Sequence, residues 1–535
     1  MFCPAIGRNS QTQFLQRALC VAAILYLHNF QPGSPELRAA NGDSRVVEAA
    51  QRNDRAAVVA LIGQRADVTT AQADGATALL WAAHWDDGEM VASLLRAGAN
   101  VSAASEYGAT ALWQACSNGN PAIVKQLLDA GADSNTALLT GETVLMAASG
   151  RSADAVKLLL DHGAAIDATE PQGGQTALMR AVAEKRSDIV RLLIERGANV
   201  NTRSKGDFSP LLFAAQQNDL ESARVLLTAG AEIDTSSPDA SPLLLAASAG
   251  FHELEVLLLD KGANPNAVDF NGYTALHYAA LRRNSQEVAK ALLQRGSNPN
   301  AQVWKQPGQG QRIPIVAVPF ITSDARVVRD GTKGGTVAIG ATPFWLAAQE
   351  GNAPMMHLLA AAGADPKKTN TENVYLEGGS GRRVDYMART SPLQMAAGVG
   401  RVKGNWPEFT AEEEIRHLEA LKVAVELGGD VNEANEYGYT PLHGAAYVGA
   451  NSMIAYLVEK GANLEAMDNF RQTPLSIALQ IITDSLGDSL DARPRKFRED
   501  TAEVLLKLGA KPLAQSGVKI LDQLEIRVED QGAAR

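Results

Sequence analysis

Cysteine is nearly absent from this chain: there are three in 535 residues, and only Cys116 lies beyond the first twenty. A lone thiol cannot build a disulfide framework, so burial must hold the fold together. Aromatic residues make up only 5% of the chain, too few for one large aromatic core. Long apolar runs are missing as well. The run Ala18 to Leu27 has ten residues, which is short of a bilayer span. Nor is there a surplus of positive charge, since 49 Lys and Arg face 60 Asp and Glu for a formal charge of -11. Binding to phosphate backbones rests on clustered cations, so nucleic acid is set aside as a partner.

Recognisable catalytic patterns are missing too. The stretch Gly331 to Gly335 lacks the Lys-Ser/Thr ending of a phosphate-binding loop, because Lys333 is followed by Gly334. No Gly-x-Ser-x-Gly nucleophile turn occurs. His84, His162, His252, His357 and His417 are scattered without metal-ligand spacing. No catalytic residue, metal or cofactor is assigned.

What the chain does have is glycine, 46 residues of it, and a length well beyond one hydrophobic core. Many short helices closed by glycine turns fit that composition. The first forty residues stand apart. Arg8 and Arg17 precede Ala18 to Leu27, and Gln31, Pro32, Gly33 and the small pair Ala39, Ala40 follow. This is the order of a secretory signal peptide, so the protein is expected to be exported, periplasmic or secreted, starting near Asn41. An uncleaved leader, a signal anchor or a misassigned start codon are the competing readings, with a cytoplasmic location as the alternative. No membrane span is expected once the leader is gone.

From residue 43 a period dominates. A hydroxyl residue followed closely by leucine and then alanines begins at Thr77, Thr110, Thr143, Thr176, Ser209, Ser241, Thr274, Thr342, Ser391, Thr440 and Thr473. The early steps are 33, 33, 33, 33, 32 and 33 residues; the later ones are 68, 49, 49 and 33. The longer steps read as insertions into an unchanged repeat. In Thr274 to Ala280 the hydroxyl supplies an N-cap, and Leu276, Ala279 and Ala280 give the helix a face of small residues. Val288, Ala291, Leu292 and Leu293 form a second helix, which ends at Gly296, where a left-handed cap is needed. Residues 43–68 read as a degenerate first repeat, with Val46, Val47, Ala49 and Ala50, then Val58, Val59, Leu61 and Ile62.

Thr274-Ala-Leu-His277, Thr440-Pro-Leu-His443 and endings such as Gly197-Ala-Asn199 and Gly461-Ala-Asn463 make the chain resemble the ankyrin-repeat family, as an exported, bacterial-type member. The resemblance implies an all-α solenoid of about twelve helix-turn-helix repeats with β-hairpin-like fingers. It also implies that His277 and His443 are structural and bond between repeats. The expected organisation is a leader (1–40), a first repeat block (41–302), a finger insertion (303–340), a second block (341–512) with insertions near 367–389, 401–413 and 484–498, and a C-terminal tail (513–535). Ile313 to Ile321 and Thr336 to Ile339 suggest an extended hairpin in the first insertion, whereas 367–389 reads as a mobile, glycine-rich loop.

Two functions from different classes follow. The first is a non-catalytic scaffold, expected as a monomer, holding a protein partner in its groove and fingers. Its anchors would be Trp81, Trp85, Tyr107 and Trp113 near the start, Tyr273 and Tyr278 in the middle, and Tyr437, Tyr439 and Tyr447 near the end. An exported effector acting on a host or envelope protein differs only in its partner. The second is an enzyme whose site is built where the 303–340 and 367–389 insertions meet, from Asp324, Arg326, Arg329, Asp330, Arg382, Arg383 and Asp385.

Overall fold

The computed structural model describes residues 43–234, 241–269, 272–303, 336–376, 383–387, 389–399, 409–479 and 498–512. The leader, the tail and the expected strand Ile313 to Ile321 lie outside them. The described residues contain 24 helices arranged as twelve pairs. The chain divides into an N-terminal body, up to Ala246 with Asp260–Ala263, and a C-terminal body formed by Ala247–Leu259 and the residues from Asn264 onward.

In most pairs the repeated hydroxyl acts as the sequence requires, though Ser241 Oγ has no partner among the described residues. Thr77 Oγ1 accepts from Leu80 N at 3.2 Å and starts helix Ala78–His84, and Thr110 Oγ1 accepts from Trp113 N at 3.1 Å. Second helices open on Asp87, Asn120 or Ser152 in the N-terminal body and on Asn352 in the C-terminal body, each side chain accepting a first-turn N–H. Alanines such as Ala82, Ala83, Ala279 and Ala280 are buried on the first helices, which lets neighbouring backbones approach closely. Two glycines show two different needs. Gly262 has φ 95° with open space around it, so conformation alone demands it. Gly438, in a finger, has φ 80° and also faces Asp468 Cα, which an added Cβ would meet at 2.7 Å.

An asparagine ladder joins consecutive repeats. In the N-terminal body the Asn201 side chain donates to Gly230 O and accepts from Glu232 N. In the C-terminal body Asn266 makes the same pair with Gly296 O and Asn298 N, and Asn432 with Gly461 O and Asn463 N. A carboxylate has no donor, so Asp167 in the equivalent place only accepts, from Asn199 N. Asn300 reaches Gly363 O at 2.8 Å and Asp365 N at 2.7 Å, 63 residues onward to the glycine. Repeat stacking is therefore unbroken across the largest insertion.

Three features depart from the sequence reading. Residues 367–389 are not simply a glycine-rich loop, because strands β2 (Glu372–Leu376) and β3 (Arg383–Met387) form an antiparallel hairpin there. β1 (Thr336–Ile339) pairs with β2, Thr336 opposite Tyr375 and Ile339 opposite Glu372, giving the order β1-β2-β3. The alternating β-formers of Glu372–Leu376 and Arg383–Met387, on either side of Gly378, Gly379 and Gly381, carry that signal. Second, the helix Ala411–Glu426 has 16 residues where its counterparts have nine. Its extra turns start at Thr410, capped reciprocally with Glu413, and His417 is buried against Phe409 at 4.2 Å. Third, the first described repeat buries Val58 but leaves Val59 half exposed, since among the described residues it has a neighbour on one side only.

Candidate interaction surfaces

Helix Ala78–His84 sets the geometry of the first aromatic cluster. Trp81 is buried, and its Nε1 donates to Gln72 Oε1 at 2.9 Å. Gln72 is held in turn by donating to Gln51 Oε1 at 2.8 Å. Trp85, one turn on, stacks against Trp81 with ring centroids 6.5 Å apart, and its Nε1 donates to Gln51 O at 3.2 Å. His84 meets both rings edge-on, at 5.5 and 4.9 Å. Both indole donors are consumed inside the protein. Trp85 remains 36% exposed, so it offers a ring face and no hydrogen bond.

The other sequence candidates scatter. Tyr107 sits at a fingertip, 60% exposed, where its hydrogen bond to Glu106 holds the phenol above its usual range. Trp113 is half-buried, and its Nε1 has no acceptor among the described residues. Tyr273 is buried, while Tyr278, partly buried, donates to Asp269 Oδ2 at 2.6 Å. Tyr439 is buried with Val399 and Ile477, and Tyr437 and Tyr447 pack partly buried against them. Trp81, Tyr273 and Tyr439 are thus core residues, and the expectation of nine groove anchors must be corrected. The reason is positional. Tyr273 and Tyr439 immediately precede the capping threonine, a place also buried at Ala76, Ala109 and Ala341, and each lies edge-on to the histidine of its repeat. Sequence reasoning missed Leu139, 77% exposed. Its signal is its place, one period after Glu106 in the neighbouring fingertip.

The fourth residue of each first-helix motif is apolar in the N-terminal body and, Trp345 apart, polar in the C-terminal body. In the N-terminal body it is Leu80, Trp113, Met146, Met179, Leu212 and Leu244; in the C-terminal body it is His277, Trp345, Gln394, His443 and Ser476. His277 Nδ1 accepts from Thr274 N at 3.0 Å, so the proton sits on Nε2, which donates to Ala301 O at 3.1 Å. His443 repeats this with Thr440 N and Gln472 O. Gln394 does both jobs with an amide, accepting from Ser391 N and donating to Glu433 O and Tyr439 O.

These histidines are structural. Burial pushes each down to about 4. The folded value lies below the unfolded one of about 6.5, so the unfolded chain takes up protons first as pH falls. Each histidine's contribution is complete above pH 6.5 and is lost as pH drops toward 4, at about 1.4 kcal/mol per pH unit. We expect the denaturation midpoint to fall between pH 7 and 5, and His277→Gln/His443→Gln to fall less steeply. A double variant with the parent's slope would show that neither histidine titrates in that window.

The remaining chemistry is sparse. Cys116 is buried, which drives its thiol pKa far up and keeps it unreactive. No group of three His, Cys, Asp or Glu side chains could hold a metal ion among the described residues. No helix there is long and apolar enough to cross a membrane. Asp324, Arg326, Arg329, Asp330 and Arg382 lie outside the described residues, and Arg383 and Asp385 fall on β3.

Known proteins place this architecture. A model for ankyrin repeats in three copies matches residues 46–137, 134–204, 211–303 and 410–515, and a single-repeat model matches 339–371. Human ankyrin repeat and SOCS box protein 16 is 25% identical over 279 residues, 52% of this chain and 54% of that protein. The chicken nuclear factor NF-kappa-B p105 subunit is 33% identical over 212 residues, 37% of this chain and 20% of that protein. The chain thus spans about half or less of the length of these relatives. The crystal structure of the ankyrin repeat domain of Bcl-3 is similar at 28% identity, with a TM-score of 0.35 over 40% of this chain and 99% of that one. With repeat matches over roughly two thirds of its length and paired helices throughout the described residues, this chain belongs to the ankyrin-repeat family.

Proposed function

We propose that the protein is a non-catalytic scaffold that holds a protein partner, and that the first repeats of its N-terminal body supply the anchor. The exposed face of Trp85 carries this reading. Its single donor is already bonded to Gln51 O and its ring is braced by Trp81 and His84, so the side chain is ordered before any partner arrives. Covering a pre-ordered aromatic face costs little conformational entropy, which is what makes such residues dominate interfaces.

The test is Trp85→Ala in the full chain, measured against a partner captured by crosslinking with the protein as bait. Affinity is expected to fall by about 2 kcal/mol, roughly thirtyfold, with the melting curve nearly unchanged. Unchanged affinity in a folded variant would remove Trp85 from the interface. A large melting loss would instead class it with Trp81 as core.

A further inference from the structure

We infer that the first fingers of the N-terminal body form a second docking surface, centred on Tyr107 and Leu139, for an extended segment that alternates basic and apolar side chains. Tyr107 and Leu139 are 60% and 77% exposed. They belong to successive fingertips, tied by Leu139 N donating to Tyr107 O at 3.0 Å, and Glu106 N ties in the preceding tip through Asp74 O at 2.7 Å. Two apolar side chains this exposed, on backbone this firmly cross-linked, gain most by being covered.

Charge decides what covers them. The finger segments 67–77, 100–110 and 133–143 contain five acids and no lysine or arginine. Among the described residues, only Glu142 of these acids meets a cation, Arg180, at 3.1 Å. An acidic or purely apolar partner would leave the other charges opposed or desolvated, whereas a cation beside an apolar group satisfies both features. Helix layers stack about 10 Å apart. An extended segment of about ten residues, roughly 33 Å long, therefore covers all three fingertips.

This inference rests on the scaffold reading, and its experiment separates the two. Three fluorescein-labelled peptides of about ten residues, alternating Arg/Leu, Glu/Leu and Arg/Ser, are titrated against the full chain by anisotropy. Only the Arg/Leu peptide is expected to bind, and more weakly as salt rises. Leu139→Ser should weaken it about tenfold by removing the apolar contact. Glu106→Gln should weaken it severalfold and flatten its salt dependence. Equal binding of either control peptide, or indifference to Leu139→Ser, overturns the inference. If Trp85→Ala still releases the captured partner in that case, the scaffold reading stands and only the fingertip surface is lost.

Discussion

Replacing Arg282 by methionine is expected to cost about 3 kcal/mol, and more at pH 8 than at pH 5. The Arg282 guanidinium donates to Ala247 O and Ser248 O, two carbonyls at the end of helix Pro242–Ala249. Its own carbonyl accepts from Asn352 Nδ2 at 3.1 Å, so one residue serves three repeats. Within range of its charge, though not in direct contact with it, is Glu255, 2% exposed, with its carboxyl pushed up to about 7 by burial and drawn back only in part by the Arg282 charge. Methionine strips two helix-end carbonyls of a charged donor, at about 1.5 kcal/mol each, and takes a cation away from the buried Glu255 carboxylate.

The sign of the pH effect follows from Glu255. Its folded pKa lies above the unfolded value of about 4.3, so its contribution is fully present below that value and is lost as pH rises through 7. Without Arg282 the folded value climbs further, and the loss deepens on the alkaline side. Hydrogen exchange over residues 247–260 should report it, with protection falling on the order of a hundredfold at pH 8. Adding Glu255→Gln should return part of that protection. Equal losses at pH 5 and pH 8 would mean that Glu255 does not feel Arg282.

The period and its caps were legible because each acts within a few residues. A hydroxyl that caps the residue three places on, or a glycine that needs positive φ, leaves the same mark in most repeats. Burial of the aromatics was less legible. Trp81 and Trp85 look alike as a pair one turn apart, yet Gln72 and Gln51 bury the first and prop up the second. Such partners come from a neighbouring repeat and have no local signature. The β1–β2 pairing was hidden for a similar reason, since helices Pro343–Gln349 and Ala353–Ala361 separate the two strands in sequence. Leu139 is the opposite case, a fingertip position that period-matching alone could have found.

Trp345→Ala is expected to be the most damaging single truncation in the C-terminal body. Trp345 is 1% exposed, beside the fully buried Phe344, at the third residue of helix Pro343–Gln349. Its Nε1 donates to Thr390 O at 2.9 Å. Thr390 is also gripped by Asn370 Oδ1, which accepts from both its N–H and its hydroxyl, and these two residues close the base of the β2–β3 hairpin. One indole thus fills the core of a repeat and fixes where an insertion leaves and rejoins it. Truncation should cost about 3 to 5 kcal/mol from lost volume and the cavity, with about 1 kcal/mol more from the hydrogen bond. Trp345→Phe keeps much of the volume and loses the donor, so it should cost less overall but still speed exchange of the Thr390 amide. Melting of Trp345→Ala within about 1 °C of the parent would refute the burial argument, since a loss of several kcal/mol moves a body of this size by several degrees. If Trp345→Phe leaves Thr390 exchange unchanged, the hairpin base is held by Asn370 alone, and the indole contributes packing without anchoring the insertion.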